Sequence, residues 1–114
     1  MADKKDEFDG WELFASPLDR WPGKFLLPPL DDFNGEHWAV WRTAVSEAPG
    51  DNINRLYCYA GLRLIDSLGS WQINTPIADI IKWQDDPKAE RMRLVGWLGR
   101  SMNGYINELI DPKG

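Results

Sequence analysis

The stretch WPGKFLLPPLDDFNGEHWAVWRTAV, residues 21–45, contains the signals that decide the fold of this chain. Residues 24–27, KFLL, predict a short strand, which ends at Pro28 because proline has no N–H to donate to a β-ladder. Asn34 predicts an N-cap, since its side chain can accept from the amides of a first helical turn. The apolar face over 35–48 predicts an amphipathic helix, so the stretch reads as a strand followed by a helix.

The segments on either side of this stretch predict a second strand and three more helices. Residues 11–15, WELFA, are rich in aromatic and apolar residues and predict a strand that pairs with 24–27. Apolar residues recur every three to four positions over 52–68, 76–83 and 87–110, which is typical of helices that bury one face. The predicted fold class is α+β, mostly α, with a short N-terminal β pair packed on a four-helix domain.

The 114 residues predict one globular domain over 11–114 that follows a disordered tail at 1–10. The tail is charged and polar and has no apolar surface to bury. The residues expected in the core share an inward position on a predicted strand or helix. They are Phe25, Leu27, Trp38, Trp41, Val45, Leu56, Ala60, Leu64, Leu68, Ile77, Ile80, Val95, Leu98, Met102 and Leu109.

The charge balance and the distribution of apolar residues exclude two classes of partner. Eighteen Asp and Glu against thirteen Lys and Arg give a net charge of −5, whereas phosphate binding needs a basic face. No apolar run approaches the roughly 20 residues of a membrane span, and the first residues do not resemble a signal peptide. We therefore expect a soluble, cytoplasmic protein that binds neither nucleic acid nor membrane.

Catalytic and metal-binding residue patterns are absent from the sequence. Cys58 is the only cysteine and His37 the only histidine, and no third group is placed to orient them as a nucleophile and base. The aspartate pairs at 31–32 and 85–86 stand at predicted helix starts, where capping explains them. We expect no catalytic residue, no metal site and no cofactor, and therefore a protein that is not an enzyme.

Tryptophan is the unusual feature of the composition, with seven in the chain. Tryptophan supplies a large apolar area with a polar N–H and serves cores and interfaces equally well. A core of this size rarely needs seven, so some of the aromatic side chains are expected on a surface that binds a protein partner. The residues predicted for that surface are Trp11, Trp21, Tyr59, Trp83 and Trp97.

The order of these features resembles that of the small tail assembly chaperones of long-tailed phages. The similar features are the opening WPGKFLLP at 21–28, the LLPPLD element at 26–31, and the helical remainder that ends at 94–110. The resemblance implies a non-enzymatic protein that binds the tape measure protein during tail assembly and self-associates. It also implies that the protein works in the cytoplasm of the phage host.

A second hypothesis belongs to a different class of protein. A small phage-type regulatory or inhibitory protein would bind one folded host target, one to one, through a rigid patch. An assembly chaperone is instead expected to form oligomers and to prefer helical segments of an unfolded client. The sequence does not decide between the two.

Overall fold

Three antiparallel strands form the sheet in the described part of the chain. The computed structural model describes residues 8–48, 53–82 and 89–110. Strand β1 is Glu12–Ala15, strand β2 is Gly23–Leu27 and strand β3 is Trp71–Ile73. The strand order is β1-β2-β3, so β2 lies in the centre and pairs with both neighbours. The predicted pairing of β1 with β2 is confirmed, with Phe14 opposite Phe25.

Strand β3 lies between the predicted helices 52–68 and 76–83, where the sequence predicted no strand. Its register places Gln72 opposite Lys24 and Trp71 opposite Phe25. Three residues are too few to show the alternation of a strand, so only the pairing with β2 reveals it. Gly23 permits this pairing because its φ is +127° and a Cβ there would overlap the backbone carbonyl of Gln72.

The described residues form four α-helices with bounds that differ from the predicted ones by one or two residues. Helix α1 is Gly35–Glu47, α2 is Ile53–Leu68, α3 is Ile77–Lys82 and α4 is Ala89–Ile110. The mostly helical α+β class is therefore confirmed. The aspartate pair at 85–86, which was interpreted as a helix cap, lies outside the described residues, and so do residues 1–7 of the predicted tail. Phe8 to Gly10 form a turn.

Helix α1 begins at the predicted cap. The Asn34 side chain accepts from the backbone N–H groups of Glu36 at 3.0 Å and His37 at 3.1 Å. In return, His37 Nδ1 accepts from the backbone N–H of Asn34 at 3.2 Å. This reciprocal pair satisfies amides that the first helical turn leaves without a partner, so His37 has a structural role.

Helix α2 occupies the middle of the domain and packs against both α1 and α4. Two glycines permit the close approach of α4. A Cβ at Gly99 would lie 2.5 Å from the backbone carbonyl oxygen of Asn54, and a Cβ at Gly61 would overlap the side chain of Met102. Helix α4 is continuous across these contacts. Gly61 and Gly99 therefore permit the close packing of α2 against α4.

Nine of the fifteen side chains that the sequence placed in the core are buried there. Six expected core residues are only half-buried, and five of them pack against the edge of the buried cluster. On α2, Leu62 and Ile65 are fully buried because this helix has neighbours on two sides. Ile53, at the start of the predicted apolar stripe of α2, is 67% exposed. The half-buried residues are Trp38, Val45, Leu56, Leu68, Ile77 and Leu109. The buried residues outside the predicted core list include Trp21, Leu26, Leu62, Ile65, Leu94, Tyr105 and Ile106.

Candidate protein-binding site

The aromatic residues predicted for a partner surface are not equally accessible. Trp21 is only 7% exposed and belongs to the core, so its ring is not available to a partner in this fold. Its backbone N–H donates to the Leu18 carbonyl at 3.1 Å, in the turn that precedes β2. The abundance of tryptophan predicts a surface position for Trp21, but its side chain packs in the core.

The other described members of the set are half-buried, and each packs against a different neighbour. The ring of Trp11 meets Phe8 edge-on at 4.9 Å between centroids, and that of Trp97 meets Phe25 at 5.4 Å. The Arg63 guanidinium lies 5.9 Å from the centre of the Tyr59 ring. Trp83 lies outside the described residues. These contacts do not group the predicted residues into one surface.

The two residues considered for nucleophilic chemistry have structural positions. Cys58 is fully buried in α2, and the His37 side chain accepts from the N-cap residue Asn34 at the start of α1. Within residues 8–48, 53–82 and 89–110, no three His, Cys, Asp or Glu side chains are grouped closely enough to hold a metal ion. The candidate sites of the described chain are therefore its open grooves.

The first groove lies between α1 and α2 and has a volume of about 440 Å³. We call it the α1–α2 groove. Small side chains line much of it, and Val40 is the largest apolar one. Ala39, Thr43 and Ala44 contribute from α1, and Arg63, Asp66 and Ser67 from α2.

Charged side chains border the α1–α2 groove. Glu47 at the end of α1 pairs with Arg63 at 3.8 Å, and both side chains are about half exposed. Such an exposed pair contributes little to stability, so it can separate when a partner arrives. The groove thus has a narrow apolar floor between two helices and a polar border.

The second groove lies between β1 and the C-terminal half of α4 and has a volume of about 350 Å³. We call it the β1–α4 groove. Phe14 and Tyr105 supply apolar walls, and Glu12 and Glu108 stand on its two sides. Gly104 leaves it open, since nothing lies within 4 Å of a Cβ built there.

A buried hydrogen bond fixes the wall of the β1–α4 groove. The Tyr105 hydroxyl donates to the Pro28 carbonyl at 2.7 Å, which ties α4 to the end of β2. Burial raises the pKa of Tyr105 above its ordinary value, and the negative charges of Glu12 and Asp32 add to the effect. The hydroxyl therefore stays protonated and able to donate.

Negative charge in the β1–α4 groove is not neutralised locally. Partial burial raises the pKa of Glu12, and the nearby charge of Glu108 raises it further. Arg100 also lines the groove, but its guanidinium lies back over Gly96, one helical turn before Arg100 and away from Tyr105. The described chain shows no ion pair for Glu12, Arg100 or Glu108.

Sequence reasoning did not find either groove. Glu12 and Glu108 are far apart in the chain and have no shared motif, so only the fold brings them together. Gly104 was the one available signal, since a glycine inside a helix needs a reason. The sequence alone does not distinguish Gly104 from Gly99 in the same helix, where an added Cβ would contact the backbone of another helix.

The described residues form a mostly helical α+β domain with two open grooves on its surface. None of the helices in the described ranges combines the length and the apolar composition needed to cross a bilayer. Comparison of the chain with family models, with curated proteins and with solved structures finds no significant match in any of the three.

Proposed function

We propose that this chain is a non-enzymatic protein-binding domain that acts like a phage tail assembly chaperone and binds helical segments of a tape measure protein. The observation that supports the proposal is the α1–α2 groove, which is open, floored by small side chains and bordered by charges. The resemblance of residues 21–31 and 94–110 to such chaperones supplies the identity of the client.

The shape of the groove suits a helix better than it suits a compact ligand. Two helices side by side present a furrow between their ridges, and a third helix packs into such a furrow. Small residues such as Ala39 and Thr43 let the backbone of a client helix approach closely. An amphipathic helix bound in a groove of this kind buries its apolar face and is protected from aggregation.

Co-expression tests the proposal with the full chain. Helical segments of a tape measure protein are produced with and without the chain, and the soluble fraction of the segment is measured. The proposal predicts a soluble complex that co-purifies. Binding by a folded host protein, with no effect on the helical segments, would instead favour a one-to-one regulator or inhibitor.

A matched pair of variants assigns the effect to the groove. Thr43→Trp places a large ring in the α1–α2 groove at an exposed position, and Arg42→Trp places the same ring at an exposed neighbouring position that does not line the groove. Thr43→Trp should abolish the rescue of the client, and Arg42→Trp should retain it. Equal rescue by both variants would rule out this groove as the client site.

Self-association is the second property that the proposal includes. Light scattering across a concentration series measures it directly on the purified chain. A dimer or larger assembly is the expected result. A monomer at every concentration would count against an assembly chaperone and in favour of the regulatory alternative.

A further inference from the structure

Strand β1 is an edge of the sheet, and its backbone hydrogen bonding alternates along the strand. The Ser16 N–H donates to the Gly23 carbonyl at 2.9 Å, so this pair exchanges hydrogen bonds with β2. In an antiparallel ladder, bonded pairs alternate with non-bonded ones. The register then makes Phe14 and Glu12 bonded residues, whereas Leu13 and Ala15 direct their N–H and C=O groups away from β2.

The outer side of β1 is open in the described chain. The sheet order leaves β1 with β2 as its one neighbour. Leu13 is 55% exposed, although it is a large apolar residue in a strand. An exposed apolar edge of this kind is a template for a further strand, and proteins normally protect it with proline, a bulge or a charge. Residues 12–15 contain one charge, on Glu12, and its side chain lies on the face that borders α4.

The β1–α4 groove lies beside this edge, on the face of the sheet that α4 covers. Glu12 and Phe14 share that face because side chains alternate along a strand, and both line the groove. A strand added to β1 would direct every second side chain toward the same face. Those side chains would enter the groove above Gly104 and Tyr105.

The charges in the groove decide which side chains fit there. Two carboxylates, on Glu12 and Glu108, lie on its sides without a cation at ion-pair distance in the described chain. The guanidinium of Arg100 lies near Gly96 rather than between these carboxylates. A lysine or arginine side chain would place its aliphatic stem on Phe14 and Tyr105 and its charge between the carboxylates.

From these observations we propose a second docking site, at which an extended peptide carrying lysine or arginine adds to the edge of β1 and inserts its basic side chain into the β1–α4 groove. Main-chain hydrogen bonds to Leu13 and Ala15 hold the backbone, and the groove selects the side chain. This site lies on a different surface from the α1–α2 groove, and it takes a strand rather than a helix.

Fluorescence anisotropy with a labelled peptide tests the proposal on the full chain. The probe alternates lysine with threonine and valine, and a matched probe has glutamate in place of lysine. The lysine peptide is expected to bind and the glutamate peptide to bind at least about tenfold more weakly, because like charges oppose it. A third probe with N-methyl groups on consecutive residues has no free N–H on either side of the strand, so it cannot donate to the ladder and should not bind.

Variants of the groove identify the site. Glu12→Gln combined with Glu108→Gln should weaken binding of the lysine peptide about tenfold or more, whereas Glu36→Gln, on the exposed start of α1, should not change it. Gly104→Trp fills the groove and should block binding, whereas Gly104→Ala, with only a Cβ in open space, should allow it.

Several results would overturn the proposal. They are no binding of the lysine peptide, equal binding of the lysine and glutamate peptides, unchanged binding after N-methylation, and unchanged binding by the double glutamine variant or by Gly104→Trp. Thr43→Trp should bind the peptide normally. The experiments can therefore reject the proposal for the peptide site without rejecting the proposal for the client helices, and the reverse.

Discussion

Two glycines of helix α4 have opposite surroundings. At Gly99 the helix lies so close to α2 that a Cβ would meet the backbone carbonyl of Asn54, and Gly99 itself is buried. At Gly104, further along the same helix, a Cβ would meet nothing within 4 Å. Gly99 permits two helices to pack closely, whereas Gly104 leaves a groove open.

This difference separates the part of the domain that stabilises the fold from the part that is available to a partner. Around Gly99 the fold is fixed by contact between helix backbones. Around Gly104 the neighbours are β1, an edge strand, and the two carboxylates of Glu12 and Glu108. Substitutions at matched positions in the two parts should therefore have opposite effects.

The largest effect is expected from Gly99→Ala. The added Cβ forces α2 and α4 apart because the atom that it meets is a backbone oxygen. Overpacking of this kind costs about 1–3 kcal/mol, and we expect a loss of about 2 kcal/mol in the free energy of unfolding. Urea denaturation followed by tryptophan fluorescence measures it. A stability equal to that of the parent would contradict the close packing of the two helices.

Tyr105→Phe should have the next largest effect, since Tyr105 lines the β1–α4 groove and its hydroxyl forms a buried hydrogen bond. The substitution removes the hydroxyl that donates to the Pro28 carbonyl and leaves a buried acceptor without its partner. Such a loss costs about 1–2 kcal/mol. Tyr59→Phe is the control, because its half-buried hydroxyl has no hydrogen bond in the described chain. Equal unfolding midpoints for the two variants would exclude this role of Tyr105.

Gly104→Ala is expected to change stability in the other direction. Alanine is favoured over glycine within a helix, and the open space admits its Cβ, so the free energy of unfolding should rise by about 0.5–1 kcal/mol. Urea denaturation of both variants compares the change in the free energy of unfolding for Gly104→Ala with that for Gly99→Ala. Destabilisation by Gly104→Ala would show that the groove is closed.

Glu12→Gln tests the electrostatics of the groove and has the smallest expected effect. The pKa of Glu12 is raised above 4.5 in the folded chain, so the folded state is favoured at low pH and loses that advantage as pH rises through the raised pKa. Glutamine does not ionise. The variant should therefore gain stability relative to the parent between acidic and neutral pH, measured as the difference between urea midpoints. A difference that is the same at both pH values would contradict the raised pKa.

The sequence predicted the parts of the fold that depend on local chemistry. Asn34 marked the start of α1 because capping involves only neighbouring residues. The apolar periodicity marked the helices, and the aromatic run marked β1. Strand β3 was not predicted, because three residues become a strand only through their partner.

The interpretation of individual side chains from sequence was less successful. Trp21 was assigned to a surface from abundance, but burial depends on the packing of the whole core. The β1–α4 groove joins Glu12 to Glu108 from opposite ends of the chain, and no sequence pattern relates them. Gly104 gave a signal, but a glycine in a helix does not reveal whether it permits a contact or leaves a space.

Amide hydrogen exchange along β1, followed by NMR in the free protein, tests the open edge most directly. The N–H groups of Phe14 and Ser16 face β2 and should exchange slowly, whereas those of Leu13 and Ala15 should exchange rapidly. Addition of the lysine peptide should then slow Leu13 and Ala15. Slow exchange at these two residues in the free protein would show that the edge is already covered, and it would contradict the account of β1 as a docking strand.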